Sequence, residues 1–326
     1  MAKYLLTGAA GFIGSFVAQK LLDNGDTILG IDNLNDAYDV RLKQWRLERL
    51  RSQDAFHYEN IDIQDRERLD RFWKEYEFEA VINLAARAGV RQSISDPEIY
   101  FRTNVNGTLN LLELCQRYSV SKFVQASTSS LYAKTTARPF REDANVGKPL
   151  SPYAASKGAA EMLCHSYHHL YNIDITILRY FTVFGPAGRP DMSIFRFVQW
   201  VTEGRPVVIF GDGKQERDFT FVEDIAAGTV SALGLTGFEV INLGSDSPVQ
   251  LLEVLGQIED LIGKKASIDW QDEQPADVRA TWAHIEKARG LLQWEPRTNL
   301  ADGLRACINW YDEQRSWAKD VRTIDG

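Results

Sequence analysis

An apolar run, Tyr4 to Leu6, leads directly into TGAAGFIG, which places Gly8, Gly11 and Gly14 in a GxxGxxG spacing before a helical periodicity that continues to about Leu22. A strand, a glycine turn and a helix in that order form the first unit of a parallel sheet. Glycine allows the tight turn and lets the backbone approach a pyrophosphate closely. The helix N-terminus adds N–H donors and partial positive charge. A helix-capping turn would also use these glycines. What separates the readings is Asp32, which ends the next predicted strand, Thr27 to Ile31. A carboxylate there accepts both hydroxyls of an adenosine ribose and repels a 2′-phosphate, so NAD is favoured over NADP.

The rhythm continues. Ala80–Leu84, Lys122–Gln125 and Ile173–Leu178 are predicted strands, and Asn104–Tyr118 and Tyr153–Tyr171 are predicted helices between them. Alternating strands and helices predict an α/β fold with a doubly wound parallel sheet of the Rossmann type. After about Phe181 the pattern changes. The breaker-rich loop FGPAGRPDM is followed by a helix over about Ser193–Glu203, the strand PVVIF, and EVINLGS as one more sheet strand. The expected organisation is an NAD-binding domain over 1–180, to which the chain returns around 218–245. A smaller mixed α/β substrate domain takes 181–217 and 246–326.

Composition narrows the partners. The 326 residues carry a net charge of −8, which disfavours nucleic-acid backbone and anionic lipid. It leaves room for a small anionic ligand in a local cationic pocket. No apolar run approaches a membrane span of about 18 residues. Cys115, Cys164 and Cys307 are widely spaced and sit in apolar contexts, without metal-ligand spacing. Buried free thiols in a reducing, cytoplasmic setting follow from that pattern. His165, His168 and His169 lack partner carboxylates at ligand spacing, so a helix surface or subunit seam is expected for them rather than a metal.

Two stretches carry chemistry. SPYAASKGAAE puts Tyr153 and Lys157 at i and i+4, on one face near a helix start. A phenol with its pKa near ~10 becomes a base at neutral pH only beside a cation, and Lys157 is placed to supply one. QASTSSLYAK ends a predicted strand with Ser127, Thr128, Ser129 and Ser130, four hydroxyls in a row.

With these pieces in place the chain resembles the extended short-chain dehydrogenase/reductases, in particular the nucleotide-sugar epimerases and dehydratases. The likeness is carried by TGAAGFIG, IDNLND, NLAARAGVR, TNVNGT, STSSLY, YAASK, RYFTVFGP, RDFTFVEDI and QPADV, and runs through essentially the whole chain. Within the family, GIDNLNDAYDVRLKQWRL, AARAGVRQSISDP and FTVFGPAGRPDM are similar to the branch that epimerises UDP-glucuronate at C4.

The resemblance implies a set of roles. The NAD pyrophosphate lies on the backbone of Gly11, Phe12, Ile13 and Gly14, and Gly8 also belongs to the cofactor site. Asp32 and Asn33 hold the adenosine ribose, and Asp62 and Ile63 flank the adenine. Leu84, Ala85, Ala86, Ser127, Tyr180 and Val183 line the cofactor. Tyr153 is the base, Lys157 binds the nicotinamide ribose and lowers the phenol pKa, and Thr128 is the third catalytic hydroxyl. In the substrate half Arg217 holds the diphosphate, Phe210 meets the uracil, Arg91 lies at the sugar nucleotide, and Asp277 closes over it. Gln274 stands where many relatives carry Arg, so Arg279 and Lys214 are further candidate cations. The bland reading of Arg217 is an ion pair with Glu216 or Asp218. Arg87 stands where Gln or His is more usual. The helices around 104–118 and 153–171 form a four-helix homodimer seam in the family, and Leu109, Leu112 and Met162 suit one.

The hydroxyl row also separates the reactions. A dehydratase or decarboxylase of this family carries a carboxylate after the catalytic Thr, where this chain has Ser129 and Ser130. Hydride return, and hence inversion at C4, is then the natural course. If the substrate is UDP-glucuronate, its 4-keto form is a β-keto acid that loses carbon dioxide unless its carboxylate is held. Arg189 is the candidate clamp, with Thr182 and Ser129 as donors. The competing reading is that Arg189 braces its Gly/Pro loop. The alternatives are 4-epimerisation of UDP-glucose or its N-acetyl analogue, and, further off, UDP-glucuronate decarboxylation.

Overall fold

The computed structural model describes residues 2–132, 137–273 and 278–323. Asp277, Gln274 and Ala133 lie outside the described residues. The first half runs β1 (Lys3–Thr7), α1 (Phe12–Asp23), β2 (Thr27–Ile31), α2 (Val40–Arg51), β3 (Phe56–Glu59), α3 (Arg66–Glu75) and β4 (Ala80–Asn83). Short helices α4 (Gln92–Ser95) and α5 (Pro97–Phe101) lead through a π turn, Arg102–Asn106, into α6 (Gly107–Arg117). Then come β5 (Lys122–Thr128), α7 (Pro152–Tyr171) and β6 (Asp174–Tyr180). The second half adds β7 (Thr182–Phe184), α8 (Ser193–Glu203), β8 (Val207–Phe210), β9 (Glu216–Phe221), α9 (Val222–Ser231), β10 (Phe238–Leu243), β11 (Pro248–Gln250), α10 (Leu251–Ile262), β12 (Ile268–Gln271), α11 (Glu286–Leu292) and α12 (Leu300–Ala318).

Seven parallel strands form the central sheet in the order β10-β6-β5-β4-β1-β2-β3. The order reverses direction between β1 and β4, and in such sheets ligands bind outside the carboxyl ends of the strands at that point. Helices cover both faces, so strands such as β4 read as short apolar runs, and all of β5 is buried, its Lys122, Gln125, Ser127 and Thr128 included. Each fully buried Val, Leu or Phe adds about 1.5–3 kcal/mol over leaving it in water. β7, β9 and β11 form a three-stranded sheet, and β8 pairs with β12. This smaller unit has its own core around Phe197, Trp200, Val254, Ile258 and Trp310.

Local chemistry explains the elements that matter below. Ser151 caps α7 by accepting the Ala154 N–H at 3.1 Å, and Pro152 starts the helix where no N–H is needed. That fixes where Tyr153 and Lys157 emerge. The helix expected from Asn104 starts three residues later as an α-helix. Asn104 itself lies in the π turn, a bulge that often marks a functional site. The four-residue strand β3 was not visible in the sequence. Leu112 is 0 % exposed and packs in the core, so it offers nothing to a subunit seam, whereas Met162 is 68 % exposed. All three cysteines are free and buried. His168 Nδ1–H donates to the Ile173 carbonyl at 2.8 Å and His165 packs edge-on to Phe238. Among the described residues no helix is long and apolar enough to cross a membrane.

Candidate active site

Two pockets meet at the carboxyl ends of the central strands. The first is lined by Gly8, Gly11, Phe12, Ile13, Gly14, Asp32, Asn33, Asp62, Ile63, Leu84, Ala85, Ala86, Ser127, Tyr180 and Val183, so the sequence-predicted cofactor residues converge there. The second holds Arg91, Ser129, Thr182, Phe210 and Arg217. Thr128, Tyr153 and Arg189 line both. Lys157 lines the first only and is buried beneath it.

The floor of the first pocket suits a dinucleotide. Gly8 has φ +69°, and a Cβ there would lie 2.8 Å from the Ala85 nitrogen, where the β1 turn presses against the end of β4. A Cβ on Gly14 would collide with the Gly8 carbonyl, whose carbon is 2.9 Å away. The turn therefore leaves its backbone bare at the helix N-terminus, which is what a pyrophosphate requires. Gly14→Ala is expected to strain this turn by about 1–3 kcal/mol. The checking measurement is NAD content of the purified protein and NAD affinity, with a loss of about 10- to 100-fold. Full NAD retention would show that the turn does not carry the cofactor.

Around the ribose end, the Asp32 side chain accepts the Leu34 N–H at 2.8 Å. Asn33 donates to Asp62 at 2.8 Å, joining the two acidic loops. The sequence reading missed two neighbours, Lys43 and Asn35, beside the Arg87 it had singled out. Lys43 lies 3.9 Å from Asp32, and both its ammonium and Arg87 Nη1 approach Asn35 Oδ1 at 3.2 Å. Burial pushes the Lys43 pKa down and Asp32 opposes it. A signal for Lys43 was present: Leu42, Lys43, Arg46, Leu47 and Leu50 form the buried stripe of α2, and cations on such a stripe need a reason.

The catalytic cluster is built from β5 and α7. Ser127 turns its hydroxyl to Glu161, which is paired with Arg179 at 2.7 Å in the core. Tyr153 packs edge-on against Tyr100 with centroids 6.1 Å apart. Asn104, from the π turn, donates to Ser156 at 2.9 Å and to the Arg87 carbonyl at 3.0 Å, locking α7 to the cofactor loop. Burial raises the Tyr153 pKa; the Thr128 hydroxyl and Arg189 pull it back. The expected lowering by Lys157 is not among these influences. Burial instead pushes Lys157 itself down to about 8, against the attraction of Glu161. In the protein alone the phenol thus holds its proton, and charge brought by ligands has to complete its activation.

The second pocket is cationic in an acidic protein. Arg91, Arg189, Arg196 and Arg217 line it with one carboxylate, Asp191. Asp191 grips Arg189 through Nε at 3.0 Å and Nη2 at 2.5 Å, and despite burial keeps it firmly charged. The bracing reading of Arg189 therefore has a structural basis, yet the guanidinium still lines the cleft. Arg91 stacks its guanidinium 4.3 Å over the Phe210 ring. Arg217 donates to the Glu216 carbonyl at 2.8 Å. The Asp218 carboxylate is taken up by the N–H groups of Ser245, Asp246 and Ala283. Arg279 forms a two-point surface pair with Asp212 at 2.7 and 2.9 Å and does not line the cleft; nor does Lys214. Arg196, which the sequence reading passed over, is there instead.

A glycine cradle at the switch point beside a Tyr/Lys/Thr cluster defines a nucleotide-dependent oxidoreductase-type fold put to work on a second, anionic ligand. The chain matches the NAD dependent epimerase/dehydratase family over residues 4–244 and belongs to it. It is 51 % identical to a UDP-glucuronate 4-epimerase of Thermodesulfobacterium geofontis, over 99 % of this chain and 100 % of that protein. The crystal structure of UDP-glucuronic acid 4-epimerase from Bacillus cereus, in complex with UDP-glucuronic acid and NAD, superposes with a TM-score of 0.90 at 38 % identity. It covers 96 % of this chain and 99 % of that one. The UDP-glucose 4-epimerase of Thermotoga maritima, with UDP-glucose, gives 0.89 at 30 % identity, covering 96 % and 99 %.

Proposed function

We propose that this protein is an NAD-dependent isomerase that inverts C4 of UDP-glucuronate, interconverting it with UDP-galacturonate. The observation that carries the reading is the charge of the substrate cleft. Four arginines face one carboxylate that is already committed to Arg189, beside a strand end of hydroxyls. A nucleoside diphosphate joined to a uronate carries negative charge at both ends, and a cleft with cations along its length suits both. The likeness to epimerases that act on UDP-glucuronate supports the same conclusion.

In this reading Gly8, Gly11, Phe12, Ile13 and Gly14 hold the NAD pyrophosphate, and Asp32 and Asn33 hold the adenosine ribose. Asp62, Ile63, Leu84, Ala85, Ala86, Tyr180 and Val183 line the rest. NAD, when bound, supplies a hydride acceptor at C4 that gives the hydride back. Tyr153 takes the proton from the C4 hydroxyl, Thr128 orients that hydroxyl, and Lys157 adds positive charge below. Arg217 and Arg196 sit toward the diphosphate, with Arg91 and Phe210 at the base. Arg189, Thr182 and Ser129 hold the carboxylate. Ser129 and Ser130 offer no acid or base for elimination, so the ketone turns over and is reduced on its other face.

The experiment is a panel of UDP-glucuronate, UDP-glucose and UDP-N-acetylglucosamine with product NMR and no added NAD. UDP-galacturonate is the expected main product. Carbon dioxide as the main product, or turnover of the neutral sugars alone, overturns the reading. A pH dependence follows as well. Lys157, at about 8, carries its charge below that pH and loses it above, so kcat/KM should fall on the alkaline side near there. Lys157→Arg stays charged and should remove that limb while lowering the plateau. An unchanged alkaline limb in that variant would exclude Lys157 as its source.

Residues 1–180 with 218–245 form the cofactor unit in this proposal, and 181–217 with 246–326 the substrate unit. A homodimer through the α6–α7 face is proposed too, supported by exposed Met162 and Leu170 on α7. A reducing, cytoplasmic setting is consistent with three free thiols.

A further inference from the structure

Arg46 is the largest fully buried side chain among the described residues, 1 % exposed. Its hydrogen bonds among the described residues go to uncharged oxygens. Nε and Nη2 donate to the Ala187 carbonyl at 3.1 and 2.5 Å, and Nη2 reaches the Gly188 carbonyl at 3.3 Å. Nη1 donates to the Ala10 carbonyl at 3.2 Å and to the Tyr38 hydroxyl at 2.7 Å. A buried guanidinium without a carboxylate is costly and is kept for a purpose. Three of its targets belong to two functional loops. Ala10 lies in the glycine turn. Ala187 and Gly188 directly precede Arg189. Ala187 also has φ +51°, a left-handed conformation that a side chain with a Cβ rarely adopts. Both lone pairs of its carbonyl side are met by one planar fork, which fixes the peptide in that orientation.

We propose that Arg46 is a positioning residue. It holds Ala187 in the left-handed conformation that aims Arg189 into the substrate cleft, and it fastens this loop to the cofactor turn. The inference rests on the reading of Arg189 as the carboxylate clamp. Losing the fork lets residues 187–189 relax, and a misplacement of about 1 Å at the clamp costs on the order of 10²-fold in rate. A loosened carboxylate also reaches the orientation from which carbon dioxide departs. The effect therefore falls on product partition as well as on rate.

Glycine at 187 provides the test, since it adopts positive φ without a Cβ penalty. The full-length enzyme with its bound NAD is compared with Arg46→Met, Arg46→Lys, Ala187→Gly and Arg46→Met/Ala187→Gly. Each is read for kcat and KM with UDP-glucuronate and for the ratio of carbon dioxide to epimer. Arg46→Met should lose about 10- to 100-fold in kcat/KM and release more carbon dioxide per epimer. Arg46→Lys, which keeps the charge but not the fork, should lie nearer to Met than to wild type. Ala187→Gly should recover about 5-fold or more in the Met background beyond its effect in wild type, a positive coupling in the double-mutant cycle. Zero coupling, an unchanged carbon dioxide ratio, or failure of both Arg46 variants to fold overturns the proposal, because a role in aiming the loop leaves the fold standing. No turnover of UDP-glucuronate by wild type overturns the functional reading and this inference with it. Lost coupling with wild-type activity intact overturns the role of Arg46 alone.

Discussion

Tyr153→Phe is expected to lower kcat by about 10²- to 10⁴-fold while the protein still binds UDP-glucuronate and keeps its NAD. The phenol lines both pockets; Tyr180 lines both as well, but its hydroxyl is engaged by Thr229 in the core at 2.9 Å, which leaves Tyr153 as the candidate between the cofactor site and the substrate cleft. The ring itself packs against Tyr100, and that contact survives loss of the hydroxyl. Binding and chemistry should therefore separate: NAD content and substrate affinity near wild type, turnover nearly gone. Substantial turnover in Tyr153→Phe would move the base to another group and undo the mechanism.

Arg189→Ala carries the second large effect. Its guanidinium is fixed by Asp191 and lines the cleft beside Tyr153. Removing it takes away the cation proposed to face the substrate carboxylate and deprives Asp191 of this partner. An uncompensated carboxylate at a buried site is itself a penalty of about 3–5 kcal/mol. The expected result is a fall of about 10²-fold or more in kcat/KM for UDP-glucuronate, with carbon dioxide rising relative to epimer. Arg189→Ala/Asp191→Asn removes both charges and separates the two causes. If the pair only braces the loop, the double variant recovers turnover. If Arg189 grips the carboxylate, the double variant recovers folding stability but not turnover of UDP-glucuronate. Stability by thermal melting and product analysis by NMR decide it.

The first half of the chain was legible because local and global signals agree there. TGAAGFIG needs bare backbone, and the structure shows Gly8 and Gly14 with no room for a Cβ. Buried parallel strands such as β4 announce themselves as short apolar runs. β3 was hidden because, of its residues Phe56–Glu59, only Phe56 is buried; a short edge strand has little pattern to show. The π turn at Asn104 depends on a tertiary contact with Ser156, which no spacing encodes. In the site, Tyr153, Lys157 and Thr128 were readable as residue types in register. The electrostatics were not. That burial lowers Lys157 and raises Tyr153 is a property of what packs over them. Arg279 looked like a phosphate ligand in the sequence but is engaged by Asp212 across a long separation in the chain. Arg196 and Arg46 passed unnoticed because a helix interior gives no hint of which cations face a cleft or a carbonyl.

The central claim is that C4 loses a hydride and receives the same one back, with C5 and its carboxylate untouched. Supplying UDP-glucuronate deuterated at C4 and following the products by NMR tests it most directly. The account requires UDP-galacturonate with deuterium still at C4, no exchange at C5 with solvent, and no added NAD. Loss of the C4 label to solvent, exchange at C5, or a decarboxylated pentose as the main product would contradict it.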